Sequence, residues 1–332
     1  MGIQQLLFVV TKMDEVGYRE EAYEAAATAA RRTALAAGWP RGLVQRMLII
    51  PTAAYLGENL VVPSKKMPWW KGSELLSRGN SERTVRVRTV LDALTHALTV
   101  PERLRAAPLR LPVAELGYIP GAGHVFYGRV EQGCIRKGQR VKFAELSRPN
   151  MPDGREVRSL EMYGQALAEA GPGDSVGVTF IYRKDRRYPS RGDVIVEEGE
   201  ETGAESVVRL TAMIQTLPDS IRHYVTPGHK MLGIVRTASS PMRLARVIRK
   251  KNESTGFKWE DNPMEARKLT SKTFAEVELE PEEPLFCEPY DTTPAFGRLA
   301  LLDEHHVVAV GRITSVEYGV VKLIRTSPHY SS

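Results

Sequence analysis

Residues 109–138 read LRLPVAELGYIPGAGHVFYGRVEQGCIRKG, a stretch in which short apolar runs are separated by closely spaced glycines. A long helix does not fit such a stretch, because glycine destabilises a helix interior. Short strands joined by glycine turns are typical of an all-β barrel or sandwich. The sequence therefore predicts that a β domain begins near Leu109.

A second β-rich stretch runs from Ser206 to about Ile324, after an acidic, polar segment at residues 197–205 that is typical of a linker. Within it, residues 250–263 carry Asn, Ser, Gly and Asp and are predicted to form a long loop. The chain from Leu109 onward is therefore predicted to contain two β domains in succession.

The first hundred residues alternate strand and helix patterns. Buried strands are predicted at Gln5–Val10 and Met47–Ile50, and helices at Glu20–Ala37 and Val85–Leu98. This order predicts a parallel sheet with crossover helices. Two strands make a poor sheet by themselves, so we expect part of a larger α/β domain, followed by a linker at residues 101–108.

The totals describe a chain of several domains rather than one. It has 332 residues, of which 42% are hydrophobic and 26% charged, as in soluble globular proteins. No apolar run is long enough to span a bilayer, and the first fifteen residues lack the flanks of a signal peptide. With only two cysteines, far apart at Cys134 and Cys287, we expect reduced thiols in a cytoplasmic protein.

The net charge of +6 favours an anionic partner through electrostatic steering. The basic residues gather in two clusters. Each cluster is a candidate for contact with an anionic partner, and the alternative is that it only forms a solvated face of the protein. The clusters are Arg183, Lys184, Arg186, Arg187 and Arg191, and Arg243, Arg246, Arg249, Lys250 and Lys251.

Two segments of the α/β part resemble guanine-recognition motifs. Residues 11–14, TKMD, follow a predicted strand and are similar to Asn-Lys-x-Asp, whose carboxylate accepts hydrogen bonds from guanine N1–H and N2–H groups. Residues 51–60, PTAAYLGENL, resemble Pro-Ile-Ser-Gly-Trp-x-Gly-Asp-Asn, and residues 67–72, MPWWKG, are close to Met-Pro-Trp-Tyr-Lys-Gly. Thr11 replaces the usual Asn, and Ala53 replaces Ser. The candidate guanine-binding residues are Thr11, Lys12, Asp14, Ala53, Ala54 and Tyr55.

Two further segments complete the resemblance, which is to the translation elongation factor 1-alpha family. Residues 108–138 look like the opening of that family's second domain, and residues 284–311 like the closing strands of its third. The implied fold is multidomain. Residues 1–100 are the C-terminal half of a P-loop-type GTP-binding (G) domain, 106–198 a β-barrel domain 2, and 204–326 a β-barrel domain 3.

The resemblance implies that an intact protein binds GTP or GDP with Mg²⁺ and delivers aminoacyl-tRNA to the ribosomal A site. The ribosome and a guanine nucleotide exchange factor are the other implied partners. The 332 residues contain no Gly-x-x-x-x-Gly-Lys-Ser/Thr, the loop that cradles the phosphates. We therefore expect this polypeptide neither to bind GTP tightly nor to hydrolyse it, and we favour a fragment over a purposeful half-domain.

The resemblance also places a pocket for the tRNA 3′ end on domain 2. Carried over, Glu161 packs beside the terminal adenosine, with an exposed strand residue as the alternative, and Ser175 takes the place of an Asn near the aminoacyl group. Glu115 is the acidic residue that the family has after Pro112. The family's aromatic, two residues further on, is replaced by Gly117, and Tyr118 one residue later is expected to point to the other face of the strand.

In domain 3 the resemblance assigns Arg243, Arg246 and Arg249 to electrostatic contacts with the acceptor and T arms of tRNA. Two other functions stay open. One is a release-factor-associated or ribosome-rescue paralogue, and the other is a degenerate module that binds RNA or protein without nucleotide. No metal site is predicted, because the adjacent His305 and His306 would face opposite sides of a strand.

Overall fold

The computed structural model describes residues 5–36, 39–77, 83–100, 102–144, 154–181, 189–199, 206–217, 225–252, 256, 258–261, 268–304 and 306–319. The chain divides into two compact units, Gly2–Glu102 and Arg103–Ser332. Among the described helices, none has the length and hydropathy that crossing a membrane would need. Most of the first basic cluster, residues 183–187, lies outside the described residues, as do His305 and everything after Gly319.

The first unit contains a parallel strand pair, a separate antiparallel strand pair and helices. Strands β1 and β2 run parallel, with Leu7 opposite Leu48, as the strand–helix–strand pattern predicted. β3 and β4 pair antiparallel. In chain order the elements are β1 (Leu7–Val10), α1 (Glu20–Ala36), α2 (Arg41–Gln45), β2 (Leu48–Pro51), a 3-10 turn (Ala54–Leu56), β3 (Ser73–Ser77), β4 (Arg83–Val87) and α3 (Val90–His96).

The predicted helix Val85–Leu98 was wrong over its first part. β-branched residues up to Val87 belong to β4, where they suit an extended strand. The helix starts at Val90, because Thr89 and Asp92 form a capping box. The Thr89 hydroxyl accepts the Asp92 N–H at 3.0 Å, and the Asp92 carboxylate accepts the Thr89 N–H at 3.0 Å.

The segment at residues 67–72 packs its two tryptophan rings against helix α1. Tyr23 of α1 lies 5.2 Å from the Trp69 ring and 5.6 Å from the Trp70 ring, between ring centroids. The Trp69 indole N–H donates to the Tyr18 carbonyl at 2.8 Å, and the Tyr23 hydroxyl donates to the Ile49 carbonyl at 2.9 Å. Burial raises the pKa of Tyr23 to about 12. These aromatic residues therefore fasten the loop to both α1 and β2.

The second unit begins with a closed barrel, here called the first barrel. Its six strands follow one another in the order β9, β12, β6, β5, β13 and β8, and pairing of β8 with β9 closes the ring. Three phenylalanine rings, Phe126, Phe143 and Phe180, fill its interior with centroids 5.3–5.8 Å apart. The strands are β5 (Leu111–Ile119), β6 (Gly123–Arg129), β7 (Ile135–Arg136), β8 (Arg140–Phe143), β9 (Arg155–Met162), β10 (Gln165–Leu167), β11 (Glu169–Ala170), β12 (Ser175–Phe180) and β13 (Val194–Glu197).

The second barrel is also closed, in the order β14, β17, β16, β15, β18 and β19, with β19 pairing back to β14. Buried and part-exposed residues alternate along β17, as expected for a barrel wall. The strands are β14 (Ser206–Thr216), β15 (Lys230–Val235), β16 (Ala238–Lys251), β17 (Phe274–Pro281), β18 (Arg298–Asp303) and β19 (His306–Gly319).

The loop predicted at residues 250–263 starts later than expected. β16 continues through Lys251, and Lys250 exchanges backbone hydrogen bonds with Glu260 at 2.8 and 3.2 Å. The pairing with Phe274 and Ala275 of β17 holds these two lysines in the strand. Residues 253–255, 257 and 262–267 lie outside the described residues.

The two barrels share an apolar cluster and a buried ion pair. Arg110 precedes β5 and Glu288 precedes β18, and their side chains are 6% and 11% exposed. The Arg110 Nη2 atom lies 2.7 Å from Glu288 Oε1. The apolar cluster consists of Ala144, Val194, Val196, Phe286, Ala295 and Phe296. The predicted domain limits 106–198 and 204–326 stay a prediction, and the described strands of both barrels fall inside them.

Candidate functional site

The predicted guanine-recognition loops lie side by side at one edge of the first unit's parallel pair. Since β1 and β2 run parallel, their carboxyl ends meet at the same edge. The Met13 N–H donates to the Thr52 carbonyl at 3.1 Å, and the Thr52 N–H donates to the Val10 carbonyl at 2.8 Å. The structure thus brings residues 11–14 and 53–55 together, although about forty residues separate them in the chain.

The candidate side chains of this edge differ in exposure. Thr11, Lys12 and Asp14 are exposed, and Lys12 lies 3.0 Å from Glu15, whose hydrogen bond raises the pKa of Lys12. Ala53 is fully buried, and its backbone N–H donates to the Glu58 carbonyl at 3.3 Å, so the structure does not present this residue to a ligand. Ala54 and Tyr55 are exposed, and the Tyr55 side chain is 99% accessible.

Asn59 holds the second loop in shape from inside. It is buried, its amide donates to the Pro51 carbonyl at 2.9 Å, and its carbonyl oxygen accepts the Ser64 N–H at 2.6 Å. The edge therefore presents an open carboxylate, Asp14, beside an ordered loop. This arrangement fits the recognition of a base, and the residues described around it include no loop of the phosphate-cradling sequence.

The three tRNA candidates of the first barrel lie on one face of its wall. Glu115 is paired with Tyr127, Tyr127 with Gly177, and Gly177 with Glu161, so that one row crosses four strands. Both glutamates are exposed. Ser175, also exposed, is two residues before Gly177 on β12, and side chains two apart share a face.

Tyr118 lies elsewhere on β5. It pairs with His124, and the two rings meet edge to face at 5.3 Å between centroids. Gly117 shares the face of Tyr127, because a Cβ on Gly117 would lie 3.0 Å from Tyr127 Cε2. Tyr118 is the next residue along the strand and therefore belongs to the opposite side.

The three arginine candidates of the second barrel form ion pairs with glutamates of the neighbouring strand. Arg246 Nη2 lies 2.6 Å from Glu278 Oε1, and Arg249 Nε lies 2.6 Å from Glu276 Oε2. Arg243 pairs with Glu280 in the same way. We call this row, with Arg209 and Glu317 at its end, the charge ladder: Arg209, Arg243, Arg246, Arg249, Glu276, Glu278, Glu280 and Glu317.

The charge ladder is electrically balanced. Four arginines face four glutamates, and the Glu280 and Glu317 carboxylates both contact Arg209, at 3.1 and 3.3 Å. The neighbouring carboxylates raise the pKa of Arg209 and of Arg246. A phosphate approaching this face would have to compete with carboxylates that already hold the guanidinium groups.

The described residues hold no group of three or more His, Cys, Asp or Glu side chains that could bind a metal ion. Both cysteines are free thiols, and burial raises the pKa of each. Neither thiol lies in the row on the first barrel or at the edge of the parallel pair.

Sequence reasoning missed Tyr127 and the Arg110–Glu288 pair. Tyr127 comes ten residues after Gly117, across the turn that joins β5 and β6, and the hairpin register puts them on the same face, with Tyr127 opposite Glu115. Nothing local in the sequence links Arg110 to Glu288, which are 178 residues apart.

Comparisons with known proteins agree with this architecture. Residues 123–196 match the family model described as elongation factor Tu domain 2, and residues 209–314 match the one described as GTP-eEF1A C-terminal domain-like. The elongation factor 1-alpha of Hyperthermus butylicus is 32% identical over 331 residues, covering 97% of this chain and 67% of that protein. The Pyrococcus furiosus protein of the same name is 30% identical, with 96% and 69% covered.

Among curated relatives, the Nanoarchaeum equitans elongation factor 1-alpha is 32% identical, and the chain spans 65% of its length. The chain thus spans about two thirds of the relatives that it matches. Among solved structures, sup35 complexed with GMPPNP superposes with a TM-score of 0.55 at 22% identity, covering 95% of this chain and 70% of that one. At this identity the likeness concerns the fold.

Proposed function

Because this chain belongs to the elongation factor 1-alpha family, we propose that its two barrels bind the aminoacyl end of a charged tRNA, as part of a translation factor that delivers aminoacyl-tRNA to the ribosome. A cytoplasmic location, a ribosomal A-site partner and a guanine nucleotide exchange factor belong to the same proposal.

The observation that carries the proposal is the row on the first barrel. Glu115, Glu161 and Ser175 are spread over 60 residues of sequence, yet the barrel collects them on one exposed face. Carboxylates can accept hydrogen bonds from ribose hydroxyl groups, and RNA ends are recognised in this way.

For the nucleotide, we propose a weak interaction at the edge where Asp14 lies. A bound guanine nucleotide would offer its N1–H and N2–H groups to Asp14, while Lys12 would line the base with its aliphatic stem. The phosphates and Mg²⁺ carry most of the binding energy in P-loop proteins, and these 332 residues contain no loop of that sequence. A dissociation constant for GTP in the nanomolar range would contradict this part of the proposal.

We also propose that Arg243, Arg246 and Arg249 contact the acceptor and T arms of tRNA, but with a smaller contribution to the affinity. Each guanidinium group already binds a glutamate, so contact with an RNA phosphate contributes less binding free energy than it would at an unpaired arginine. The face of the first barrel is therefore the better candidate for the dominant contact.

The test is a binding titration of the purified chain with Phe-tRNA, with deacylated tRNA and with a release factor as the competing type of partner. We expect Phe-tRNA to bind more tightly than either. Glu161→Gln should weaken Phe-tRNA binding, while Glu156→Gln, an exposed glutamate five residues earlier on β9, should not. Equal affinity for charged and deacylated tRNA, or selective capture of the release factor, would overturn the proposal.

A further inference from the structure

Tyr127 occupies an unusual place on the outer face of the first barrel. A Cβ on Gly117 would lie 3.0 Å from Tyr127 Cε2, and a Cβ on Gly177 would lie 3.2 Å from Tyr127 Cε1. The two edges of the ring therefore extend over the two neighbouring strands, each of which has a glycine at that point. Both distances are tighter than an ordinary side-chain contact, so any larger residue at either position would push the ring away.

The ring is also accessible and lies between polar groups. Tyr127 is 38% exposed, with Glu115 beside it on β5 and Glu161 two strands away on β9. With strands about 4.8 Å apart, roughly 10 Å separates the backbone of Tyr127 from that of Glu161. Gly177 lies between them and is buried beneath the Tyr127 ring and the Val125 side chain, so the exposed groups along this part of the row are the aromatic ring and the Glu161 carboxylate.

An exposed ring near an exposed carboxylate suits a nucleoside ester. An aromatic ring offers a stacking surface to any base or apolar group, and a carboxylate accepts a ribose hydroxyl. The family pattern has its aromatic at the position of Gly117, where this chain has none. The Tyr127 ring occupies the space beside Gly117, reaching it from the adjacent strand.

We propose that Tyr127 supplies, from β6, the aromatic contact to the 3′-terminal aminoacyl-adenosine of tRNA. The proposal rests on the proposed function and names a further positioning residue for it. Gly117 and Gly177 are required because they make room for the ring. A tyrosine that merely covers two glycines would affect stability but not the affinity for a charged RNA end.

The experiment compares four forms of the full chain: the parent, Tyr127→Val, Tyr127→Phe and the exchange Gly117→Tyr with Tyr127→Val. The ligand is a tRNA carrying 2-aminopurine in place of the terminal adenine, in charged and deacylated form. Circular dichroism and thermal unfolding establish that each variant is folded. Stacking is read from quenching of 2-aminopurine fluorescence, and affinity from the titration.

Tyr127→Val should weaken binding of the charged RNA about tenfold and remove the quenching, as expected for the loss of one stacking contact. Tyr127→Phe should keep both. The exchange should restore affinity, because it returns one aromatic to the same space, whereas Gly117→Tyr alone forces two rings into it.

The outcomes separate the two proposals. If the parent binds charged tRNA selectively and Tyr127→Val binds equally well with unchanged quenching, the assignment of Tyr127 is overturned and the proposed function stands. If the parent does not distinguish charged from deacylated tRNA, the proposed function fails, and the assignment falls with it. A larger loss for Phe-tRNA than for Gly-tRNA would support contact with the aminoacyl side chain, and an equal loss would support contact with the base.

Discussion

Replacing Glu288 by Leu should destabilise the second unit strongly, because it removes one half of a buried ion pair between the barrels. Arg110 and Glu288 are 6% and 11% exposed, and two guanidinium nitrogens of Arg110 lie 2.7 and 3.1 Å from the same carboxylate oxygen. Arg110 also donates to the Leu109 carbonyl at 3.0 Å, and its guanidinium lies 5.7 Å from the centre of the Phe286 ring.

These contacts decide the magnitude. In Glu288→Leu the guanidinium group keeps its carbonyl and its ring but loses its contacts with the Glu288 carboxylate. Removing one partner of a buried pair costs about 3–5 kcal/mol. Replacing both partners by apolar residues of similar size is commonly close to neutral. The double variant Arg110→Met with Glu288→Leu should therefore be more stable than Glu288→Leu alone.

The assay is urea unfolding of the parent chain, Glu288→Leu, the double variant and one control, followed by far-UV circular dichroism at the β-sheet signal. The matched control is Glu74→Leu, which breaks the Arg86–Glu74 pair, whose side chains are 58% and 60% exposed. We expect this control to change the midpoint very little, since exposed pairs contribute little. Loss of less than about 1 kcal/mol in Glu288→Leu, or a double variant no more stable than it, would refute the reasoning.

Four further outcomes follow from local contacts. Thr89→Ala should cost about 1 kcal/mol of the first unit's stability in thermal unfolding, because the helix loses its N-cap. Burial tends to raise the pKa of Asp92, but hydrogen bonds from the Arg88 and Thr89 backbone N–H groups and from the Thr89 side chain outweigh it and lower that pKa. The stability that the cap contributes should therefore be complete above the ordinary aspartate pKa and be lost as the pH falls through the lowered pKa of the folded state. An Asp92→Asn variant whose stability depends on acid in the same way would contradict this. Burial raises the pKa of the Cys287 thiol, so the native chain should resist a thiol-specific chromogenic reagent at neutral pH and react after unfolding. Gly128→Ala should lower the thermal midpoint by the equivalent of about 1–3 kcal/mol, because its Cβ would collide with the Pro112 carbonyl oxygen, and an unchanged midpoint would show that the strands can separate there.

Features of the fold that depend on contacts between residues close in the sequence could be predicted, and those that depend on distant residues could not. Glycine spacing is a local signal, and it predicted a β architecture from Leu109 that the two closed barrels confirm. The order of strands and helices likewise predicted the parallel pairing of β1 with β2. The boundary near Val87 was missed, because hydrophobic spacing alone fits a helix there. The Thr89–Asp92 cap, also visible in the sequence, decides against it.

Which candidate site residues lie next to one another depends on the register between strands, and a single sequence does not specify that register. Motif resemblance indicated Glu115 and Glu161 separately, but their common row exists only because β6 and β12 lie between β5 and β9 in the barrel order. The same order brings Tyr127 beside Gly117 and Gly177. Gly117 stands where the family has an aromatic residue, and the neighbouring strand places the Tyr127 ring beside it.

The charge ladder shows why a cluster of basic residues in a sequence does not by itself predict a basic surface in the fold. Arg243, Arg246 and Arg249 are three residues apart, so in a regular strand they would alternate between the two faces. Two β-bulges, between Leu244 and Arg246 and between Val247 and Arg249, each insert one extra residue. The three arginines then face the same side and match the glutamates of β17, which are spaced by two.

Because of those bulges, a run that looks basic in the sequence becomes a balanced surface in the fold. The partner glutamates come from a strand about thirty residues away, so no local count of charge includes them. The net charge of +6 therefore does not by itself locate an RNA-binding face on this molecule. The row around Tyr127 is the stronger candidate, since its carboxylates and ring are exposed and arranged across strands, where a ligand can reach several of them together.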